Sequence, residues 1–456
     1  MFKPLSFSEL MTILDARLIG ADCTFDGVSI DSRAIVPGQL FVALTGPRFD
    51  GHDYLDQVAT KGAVGALVER EVPGSSLPQL VVLDTRKALA QLGAINRNAF
   101  VDKPVAAITG SSGKTTVKEM LASIMRTRGA VLATKGNLNN ELGVPLTLLE
   151  LAPDYAAAVI ELGASRIGEI AFTVSLTKPH VAVITNAGTA HVGEFGGPDK
   201  IVEAKGEILE GLDISGVAVL NREDKAFPVW KARAGERQVV SFAIADQSAD
   251  FHARDLARDA RGCPGFMLCS PSGSAAVQLS LLGAHNVGNA LAAAAAAHAL
   301  GVTLDGIVSG LNAVQPVKGR TVAQLALNGL RVIDDTYNAN PTSVNAAVDI
   351  LTGFTGRTVL VLGDIGELGD WAEQGHRDVG AYAAGKVSAL YAVGPLMAHA
   401  VNAFGEHARH FANQTDLIAA LGAEQDPNTT ILIKGSRSAA MENIVAALCG
   451  SSLEKH

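Results

Sequence analysis

Cysteine, charge and long apolar runs are all scarce in this chain of 456 residues. The four cysteines form no Cys-x-x-Cys pair, which excludes a zinc ribbon and a disulfide framework. Lysine and arginine number 37 against 46 aspartates and glutamates, and the net charge of −9 excludes general electrostatic binding to nucleic acid. The longest apolar run, at 290–300, is about half of a membrane span. Because the first residues also lack an apolar signal segment, we predict a cytoplasmic protein without nucleic-acid or membrane partners.

The order of apolar segments predicts an α/β fold. The length suggests about three domains, and an apolar content of 48% suits sheets that are buried on both faces. Short apolar strands alternate with helical stretches, which is the pattern of a parallel, doubly wound sheet. We predict a small N-terminal α/β domain at 1–84, a central domain with a doubly wound, mostly parallel sheet at 85–315, and a third α/β domain at 316–456. The strands at 238–242, 266–269 and 277–282 are predicted to form an antiparallel annex.

A glycine-rich turn joins the buried strand at 105–108 to a helix that starts near Thr115. Its backbone N–H groups can surround phosphate oxygens, and the start of the helix adds a partial positive charge. The usual motif has a glycine six residues before the lysine, but Ile108 stands there, so this loop is a shortened variant. We predict phosphate binding, with Lys114 on the β- and γ-phosphates and the Thr115 hydroxyl on Mg²⁺. A Ser/Gly turn with a surface lysine is the alternative. The predicted nucleotide contacts are Gly110, Ser111, Ser112, Gly113, Lys114, Thr115 and Thr116.

Three further side chains are candidates for the same site, and each has an ordinary alternative. Glu161 ends an apolar strand, and ligands bind at the carboxyl ends of strands in open α/β sheets, although a strand-end salt bridge would also explain it. His191 follows another strand end, but a single histidine is usually structural. Lys205, within Glu-Ala-Lys-Gly-Glu, could be one more solvated charge on a helix.

Several motifs occur in one order along nearly the whole chain. They are Gly-Ser-Ser-Gly-Lys-Thr-Thr at 110–116, the Glu161, His191 and Lys205 segments, and His-Asn-x-x-Asn at 285–289. In this order they resemble the Mur ligases of cell-wall precursor synthesis. Further motifs, at 136–145, 334–341 and 361–369, are similar to the branch that adds D-alanyl-D-alanine (D-Ala-D-Ala) to UDP-N-acetylmuramoyl-tripeptide (UDP-MurNAc-tripeptide). A Mur ligase that adds a single amino acid, or a related polyglutamyl-type ligase, is the alternative inside the family. A nucleotide-gated binding protein is the alternative outside it.

The resemblance implies roles for the domains and a set of cofactors. The N-terminal domain would bind the UDP substrate, the central domain ATP, and a Rossmann-like C-terminal domain would contribute to nucleotide and D-Ala-D-Ala binding. ATP and two Mg²⁺ ions are implied, with Lys114, His191 and Lys205 as catalytic residues and Thr115, Glu161, His191 and Lys205 at the metals. In the family the matching lysine is carbamylated by CO₂. Two unit charges 4 Å apart interact by about 4 kcal/mol at an effective dielectric constant near 20, so Mg²⁺ would repel an ammonium and attract a carbamate.

The same resemblance assigns residues to the substrates. Asn286 and Asn289 would meet adenine, although Asn286 could equally be a helix N-cap, and Arg320 and Asp335 would approach the phosphates and ribose. The residues assigned to the UDP-peptide and the dipeptide are Ser32, Arg33, Gly46, Asp50, Gly51, His52, Asn139, Asn140, Asn338, Asn340 and Arg437. Turn chemistry alone explains the Asp-Ser and Asp-Gly pairs among them. Arg357 and Arg377 compete with Arg437 for the dipeptide carboxylate. No exposed heptad pattern is evident, so we expect a monomer.

Overall fold

Three mixed sheets follow one another along the chain. The computed structural model describes residues 1–47, 49–188, 195–259, 263–316, 319, 321–424 and 428–450. Within them these sheets have five, nine and six strands, each inside one of the three predicted domains, and the strands at 5–6 and 24–25 form a separate two-stranded antiparallel sheet. The predicted α/β fold class is therefore confirmed, while the exact domain boundaries stay a prediction.

The N-terminal elements form the five-stranded sheet and the helices and short strands next to it. They are β1 (Leu5–Ser6), α1 (Phe7–Ile13), β2 (Arg17–Ile19), β3 (Thr24–Phe25), β4 (Gly27–Ser29), β5 (Gln39–Val42), α2 (Leu55–Thr60), β6 (Gly65–Val68), β7 (Gln79–Val81) and α3 (Thr85–Ala99). The strand order is β2-β7-β6-β5-β4, with β2 antiparallel to its neighbour and the other strands parallel. Leu89 and Leu92 of α3 pack into this core beside Leu149, which belongs to the central domain. Helix α3 therefore packs between the five-stranded sheet and the segment of the central domain that contains Leu149.

The central elements form the nine-stranded sheet and its covering helices. The strands are β8 (Val105–Thr109), β9 (Val131–Ala133), β10 (Ala157–Glu161), β11 (Val181–Ile184), β12 (Val217–Asn221), β13 (Gln238–Ala243), β14 (Phe251–Arg258), β15 (Pro264–Ser270) and β16 (Gly273–Gln278). The helices are α4 (Lys114–Met125), α5 (Gly143–Leu149), α6 (Glu169–Thr177), α7 (Pro198–Gly206), α8 (Phe227–Ala234), α9 (His285–Ala299) and α10 (Leu304–Asn312). The strand order is β16-β15-β14-β13-β12-β11-β8-β10-β9.

Alternate residues of the central strands pack on opposite faces of the sheet. Ala106 and Ile108 of β8 join a core that contains α4 and α9, whereas Val105 and Ala107 join a core that contains α5, α6 and α8. Both faces are covered, which explains why β8 is apolar without alternation. The central sheet is doubly wound, as predicted.

One predicted strand pairing is wrong. The strand at 238–242 was predicted in the antiparallel annex, but β13 is parallel to β12 and to β14, and only β14, β15 and β16 pair antiparallel to one another. The connection between β12 and β13 contains α8, and such a helical crossover returns the chain to the same end of the sheet. The short helix, overlooked in the sequence, decides the direction of β13.

The alanine-rich run lies in α9, at the centre of the apolar core. Residues 290–297 are completely buried between the central sheet and α4. A helix that is apolar on all sides is stable when it is enclosed, and alanine side chains permit close packing of neighbouring elements. Every helix in the described part of the chain is too short or too polar to span a lipid bilayer.

The C-terminal elements form the six-stranded sheet. They are β17 (Val322–Leu325), β18 (Arg331–Asp335), α11 (Pro341–Leu351), β19 (Thr358–Gly363), α12 (Ala372–Ala383), β20 (Ala389–Val393), α13 (Met397–Phe404), β21 (Ala408–Phe411), α14 (Gln414–Gly422), β22 (Thr430–Lys434) and α15 (Glu442–Cys449). The order is β17-β18-β22-β19-β20-β21, with β17 antiparallel and the other strands parallel. The parallel strands end at one edge, where β18 and β22 bring Asp335 and Lys434 side by side.

The strand order of the central sheet fixes the place of the glycine-rich loop. β8 lies between β10 and β11, so the chain leaves β8 toward one side of the sheet and later returns to the other. Such a switch point opens a crevice at the carboxyl ends of the strands. The loop after β8 starts in that crevice, with the ends of β10 and β11 on either side.

Candidate active site

The loop between β8 and α4 has the shape of a phosphate cradle. Gly110 has a φ of +146° and Gly113, directly before α4, has a φ of +81°, and side chains disfavour both values. Lys114 Nζ reaches back to donate to the Gly110 carbonyl at 2.7 Å. The first N–H groups of a helix have no partners within it, so the turn presents donors and positive potential to an anion.

Hydrogen bonds to the end of β11 hold this loop in place. Ser111 N donates to the Asn186 carbonyl at 3.0 Å, and Ser112 N donates to Asn186 Oδ1 at 3.1 Å. Thr185 Oγ1 donates to the Ser112 carbonyl at 2.6 Å. The shape of the loop is thus set by protein contacts and does not depend on a bound ligand.

Glu161 lies beside the loop in a network of three polar partners. Its side chain is buried, and its oxygens accept from Thr115 Oγ1 and from Asn139 Nδ2, both at 2.9 Å. Its backbone N–H donates to Thr134 Oγ1 at 2.9 Å. The predicted role of Asn139 was in substrate binding, and the contact that the structure shows is with Glu161. Since a carboxylate and a hydroxyl oxygen meet here, the site is chemically suited to Mg²⁺.

The protein alone would not complete the coordination of that ion. In the described part of the chain, no three His, Cys, Asp or Glu side chains cluster closely enough to hold a metal. Mg²⁺ is commonly held by one or two carboxylates together with phosphate oxygens and water, so this donor set fits a metal that arrives with a nucleotide. The predicted ligand His191 lies outside the described residues.

Lys205 is almost completely buried near the end of α7. Among the described residues Nζ has no hydrogen-bonding acceptor, and it lies 5.2 Å from the centre of the Phe195 ring. Burial, and next the positive charge of Lys114, lower the pKa of Lys205 from 10.5 to about 7, while Glu169 and Glu207 act in the opposite direction. The positive charge of Lys114 thus acts on Lys205, although Lys205 is not among the residues that line the cavity containing the loop. A solvated helix position, the ordinary alternative, is wrong.

A cavity of about 930 Å³ brings most of the predicted residues together. It lies between the central and C-terminal domains, with α4 and the loop on one wall and α11 on the other. The predicted residues that line it are Ser111, Ser112, Gly113, Lys114, Thr115, Thr116, Asn139, Asn140, Glu161, Asn286, Asn289, Asp335, Asn338, Asn340 and Arg437.

Asn286 and Asn289 form the wall of this cavity behind the loop. Asn289 Nδ2 donates to Asn286 Oδ1 at 2.8 Å, and Asn286 Nδ2 donates to the Leu282 carbonyl at 2.8 Å. A side chain at Gly113 would collide with Asn289 Oδ1, so the loop backbone rests directly on that amide. The N-cap alternative for Asn286 is wrong, because it lies inside α9 and the cap residue is Ala284. The predicted ligand Arg320 lies outside the described residues.

The C-terminal wall offers one of the three candidate arginines. Arg437 lines the cavity, and its guanidinium pairs with Glu442 at 2.8 Å. Arg357 instead pairs with Glu424 and Arg377 is exposed, and neither lines the cavity. Asn340 caps α11 by accepting from Ser343 N at 2.8 Å.

Six predicted substrate residues belong to the N-terminal domain and do not line this cavity. They are Ser32, Arg33, Gly46, Asp50, Gly51 and His52. Arg33 pairs with the neighbouring Asp31 at 2.8 Å. Asp50 accepts from Arg70 and from the ring of His52, and the other ring nitrogen of His52 accepts from Glu69 N at 2.9 Å. Protein contacts thus occupy Asp50 and His52, and their assignment to the UDP substrate stays a prediction.

Three family models match consecutive parts of this chain. Residues 24–97 match the Mur ligase family, catalytic domain; residues 108–297 match the Mur ligase middle domain; and residues 319–437 match the Mur ligase, glutamate ligase domain. UDP-N-acetylmuramoyl-tripeptide–D-alanyl-D-alanine ligase of Escherichia coli (strain K12) is 47% identical over 449 residues, which cover 97% of this chain and 98% of that protein. The chain belongs to the Mur ligase family.

Solved structures agree with this assignment. Crystal structure I of MurF from Acinetobacter baumannii is 40% identical, with a TM-score of 0.93, and the match covers 99% of this Mur ligase and 100% of that chain. MurF ligase from Thermotoga maritima in complex with ADP is 27% identical, with a TM-score of 0.83, over 92% of this chain and 96% of that one. The predicted family and the ATP-dependent peptide ligase class are confirmed.

Sequence reasoning missed several contacts that support the site. Thr134 orients the backbone of Glu161, and Lys434 holds Asp335 from the next strand. Phe242 and Ile244 add apolar lining beside the two asparagines. The sequence places Lys434 beside Arg437 near the dipeptide site, but its pairing with Asp335 depends on the register of β18 and β22.

Proposed function

We propose that this Mur ligase joins D-Ala-D-Ala to UDP-MurNAc-tripeptide and converts ATP to ADP and phosphate in peptidoglycan precursor synthesis. The observation that carries the proposal is one cavity with the phosphate loop on its central wall and Asn338 and Arg437 on its C-terminal wall. The E. coli relative supports it through its name, and the Thermotoga structure supports it through its bound ADP.

The reaction requires activation of a carboxylate. An amine does not attack a carboxylate at neutral pH, because the carboxylate is anionic and oxide would have to leave. Transfer of the γ-phosphoryl group of ATP to the terminal carboxylate of the tripeptide gives an acyl phosphate. The amine of D-Ala-D-Ala then adds to its carbonyl carbon, and the tetrahedral intermediate expels phosphate. Positioning and charge neutralisation supply most of the catalysis in such a phosphoryl transfer.

The central wall is suited to hold the triphosphate. The backbone N–H groups of the loop would bind phosphate oxygens, and Lys114 would exchange its bond to the Gly110 carbonyl for the β- and γ-phosphates. Thr115 and Glu161 would hold Mg²⁺, which neutralises the phosphate charge when bound. Asn139 and Thr134 keep the Glu161 carboxylate and backbone in the required orientation. The proposal includes a second Mg²⁺, which Lys205 would help to bind.

Lys205 would help to bind the second Mg²⁺ after conversion of its amine to a carbamate. The neutral amine would attack the carbon of CO₂, forming an N–C bond while one C=O electron pair moves to oxygen and a proton leaves the nitrogen. This side chain is buried and has no acceptor among the described residues, conditions that favour a neutral amine. The product carries a negative charge and two oxygen acceptors, which suit a metal ion better than an ammonium does.

The C-terminal wall would receive the dipeptide. Arg437 can bind its carboxylate through two parallel N–H bonds, after exchanging the contact with Glu442. Approach of the two walls would exclude water from the acyl phosphate, which water would otherwise hydrolyse. Since residues from both walls belong to one chain, we infer that a monomer is active, and the use of ATP and a nucleotide-linked peptide suits a cytoplasmic enzyme.

Phosphate release with and without each substrate tests the proposal. Release should require both UDP-MurNAc-tripeptide and D-Ala-D-Ala, and mass spectrometry should detect the pentapeptide nucleotide. Arg437→Gln should raise the KM for D-Ala-D-Ala at least tenfold, whereas Arg357→Gln, which removes an arginine outside the cavity, should not. Strong release with neither substrate would instead indicate a nucleotide-gated binding protein. Equal turnover with a single amino acid would indicate another branch of the family.

A further inference from the structure

A buried lysine joins two parts of the C-terminal wall. Lys434 ends β22 and lies directly beside Asp335, the last residue of β18, in the parallel register. Its Nζ lies 2.6 Å from Asp335 Oδ2 and donates to the Asn338 carbonyl at 2.9 Å. The side chain of Lys434 is 5% exposed and that of Asp335 is 14% exposed. One ammonium therefore holds both a carboxylate and a peptide carbonyl at the edge of the cavity.

The surrounding contacts leave this carboxylate little freedom. Thr321 Oγ1 donates to the second oxygen, Asp335 Oδ1, at 3.0 Å. Tyr337 N donates to the Gly319 carbonyl at 3.0 Å, which fixes the chain between Asp335 and Asn338. Without Lys434, the carboxylate would lose its charged partner while remaining largely buried. A buried charge without a partner is strongly unfavourable, so the segment would rearrange.

We propose that Lys434 is a positioning residue that couples the nucleotide site to the dipeptide site. The inference rests on the proposed function and on the residue assignments that the family resemblance implies, which give Asp335 to the phosphates and ribose of the nucleotide and Asn338 to the peptide substrates. Lys434 aligns the Asp335 carboxylate for a ribose hydroxyl, and through the Asn338 carbonyl it sets the orientation of the segment that meets the dipeptide. A change at this one side chain therefore alters the binding of both ligands.

Equilibrium binding of ADP and steady-state kinetics test the role of Lys434. Lys434→Met should raise the Kd for ADP, measured by calorimetry, at least fivefold and should raise the KM for D-Ala-D-Ala at least fivefold. A smaller change in either constant overturns the coupling. If the methionine variant does not fold, Lys434→Gln, which keeps an N–H donor, replaces it under the same thresholds. Arg357→Met is the matched control, because it removes an ion pair with Glu424 in the same domain but away from the cavity. It should leave both constants within twofold.

A double-mutant cycle shows whether Lys434 acts through Asp335. Asp335→Asn alone should also weaken ADP binding, and adding Lys434→Met to it should change the Kd by less than twofold further. If the double variant raises the Kd for ADP by the product of the two separate effects, Lys434 does not act through Asp335. ADP binding needs no turnover, so a wild-type enzyme that binds ADP but forms no pentapeptide would contradict the proposed function, and the cycle would still decide the role of Lys434.

Discussion

Replacing Lys205 with methionine should stabilise the protein and abolish its activity. Lys205 is 1% exposed, and methionine keeps its unbranched apolar stem while removing the amine, which has no acceptor among the described residues. Its pKa of about 7 lies below the usual 10.5, so the unfolded chain binds more protons between these two pH values. In the uncarbamylated protein the cost of the buried charge is therefore complete below pH 7 and fades as the pH rises toward 10.5. At about 1.4 kcal/mol for each pKa unit, it is about 5 kcal/mol at pH 6 and about 3 kcal/mol at pH 8.

Urea unfolding in CO₂-depleted buffer measures this effect. Lys205→Met should exceed the wild type in the free energy of unfolding by about 3 kcal/mol at pH 8, and by more at pH 6. Ligation by the wild type should fall in the depleted buffer and return with bicarbonate, whereas the variant should be inactive in both. A variant that keeps more than a tenth of the activity, or that is less stable than the wild type at both pH values, would refute the reasoning.

Lys118 provides a matched control for Lys205. It is also buried, at 2% exposure, but its Nζ donates to the Thr134 carbonyl at 2.6 Å and pairs with Glu119 at 2.9 Å. Lys118→Met leaves that carbonyl without its partner and should destabilise the protein by about 1–3 kcal/mol. Both substitutions replace lysine with methionine. If they change the free energy of unfolding in opposite directions, the hydrogen-bond partners of the amine decide its effect on stability.

Other changes test the loop, the metal site and the C-terminal domain. Gly110→Ala would place a methyl group against Thr185 Oγ1 at a φ of +146°, so the Kd for ADP should rise at least tenfold in calorimetry. Glu161→Gln should lower kcat at least 100-fold and raise the Mg²⁺ concentration needed for half-maximal activity, because a neutral amide binds Mg²⁺ weakly. Burial lowers the pKa of His376, whose Nε2 accepts from Ile365 N at 3.0 Å, so stability should fall as the pH drops below 6.5. Urea midpoints at pH 7.5 and 5.5 should differ less for His376→Gln than for the wild type.

Local signals predicted the loop and most of the fold. Gly110 and Gly113 stand where the backbone needs positive φ, and the strand before them is apolar because helices cover both faces. Both properties belong to short segments, so a short window of sequence contains them. The error at 238–242 has the same origin, since the direction of β13 depends on the crossover through α8 and not on its own residues.

The partners of the polar side chains could not be predicted in this way. The contact of Asn139 with Glu161, and the bonds of Asp50 to Arg70 and of His52 to Glu69, could not be read from the sequence, while the assignment of these residues to substrates stays a prediction. Each of these contacts joins residues 17 or more positions apart. Sequence spacing does not fix such pairs, because they depend on how strands and helices pack.

The sequence alone determined that this chain is an α/β Mur ligase with a phosphate loop, because glycine positions, strand periodicity and ordered motifs are properties of the linear chain. Only the tertiary structure decided that Lys205 is buried with no acceptor among the described residues, that Arg437 and not Arg357 faces the cavity, and that Lys434 holds Asp335. Burial and ion pairing arise when distant segments share one small volume, and the energy of a charge depends on that volume more than on its neighbours in sequence.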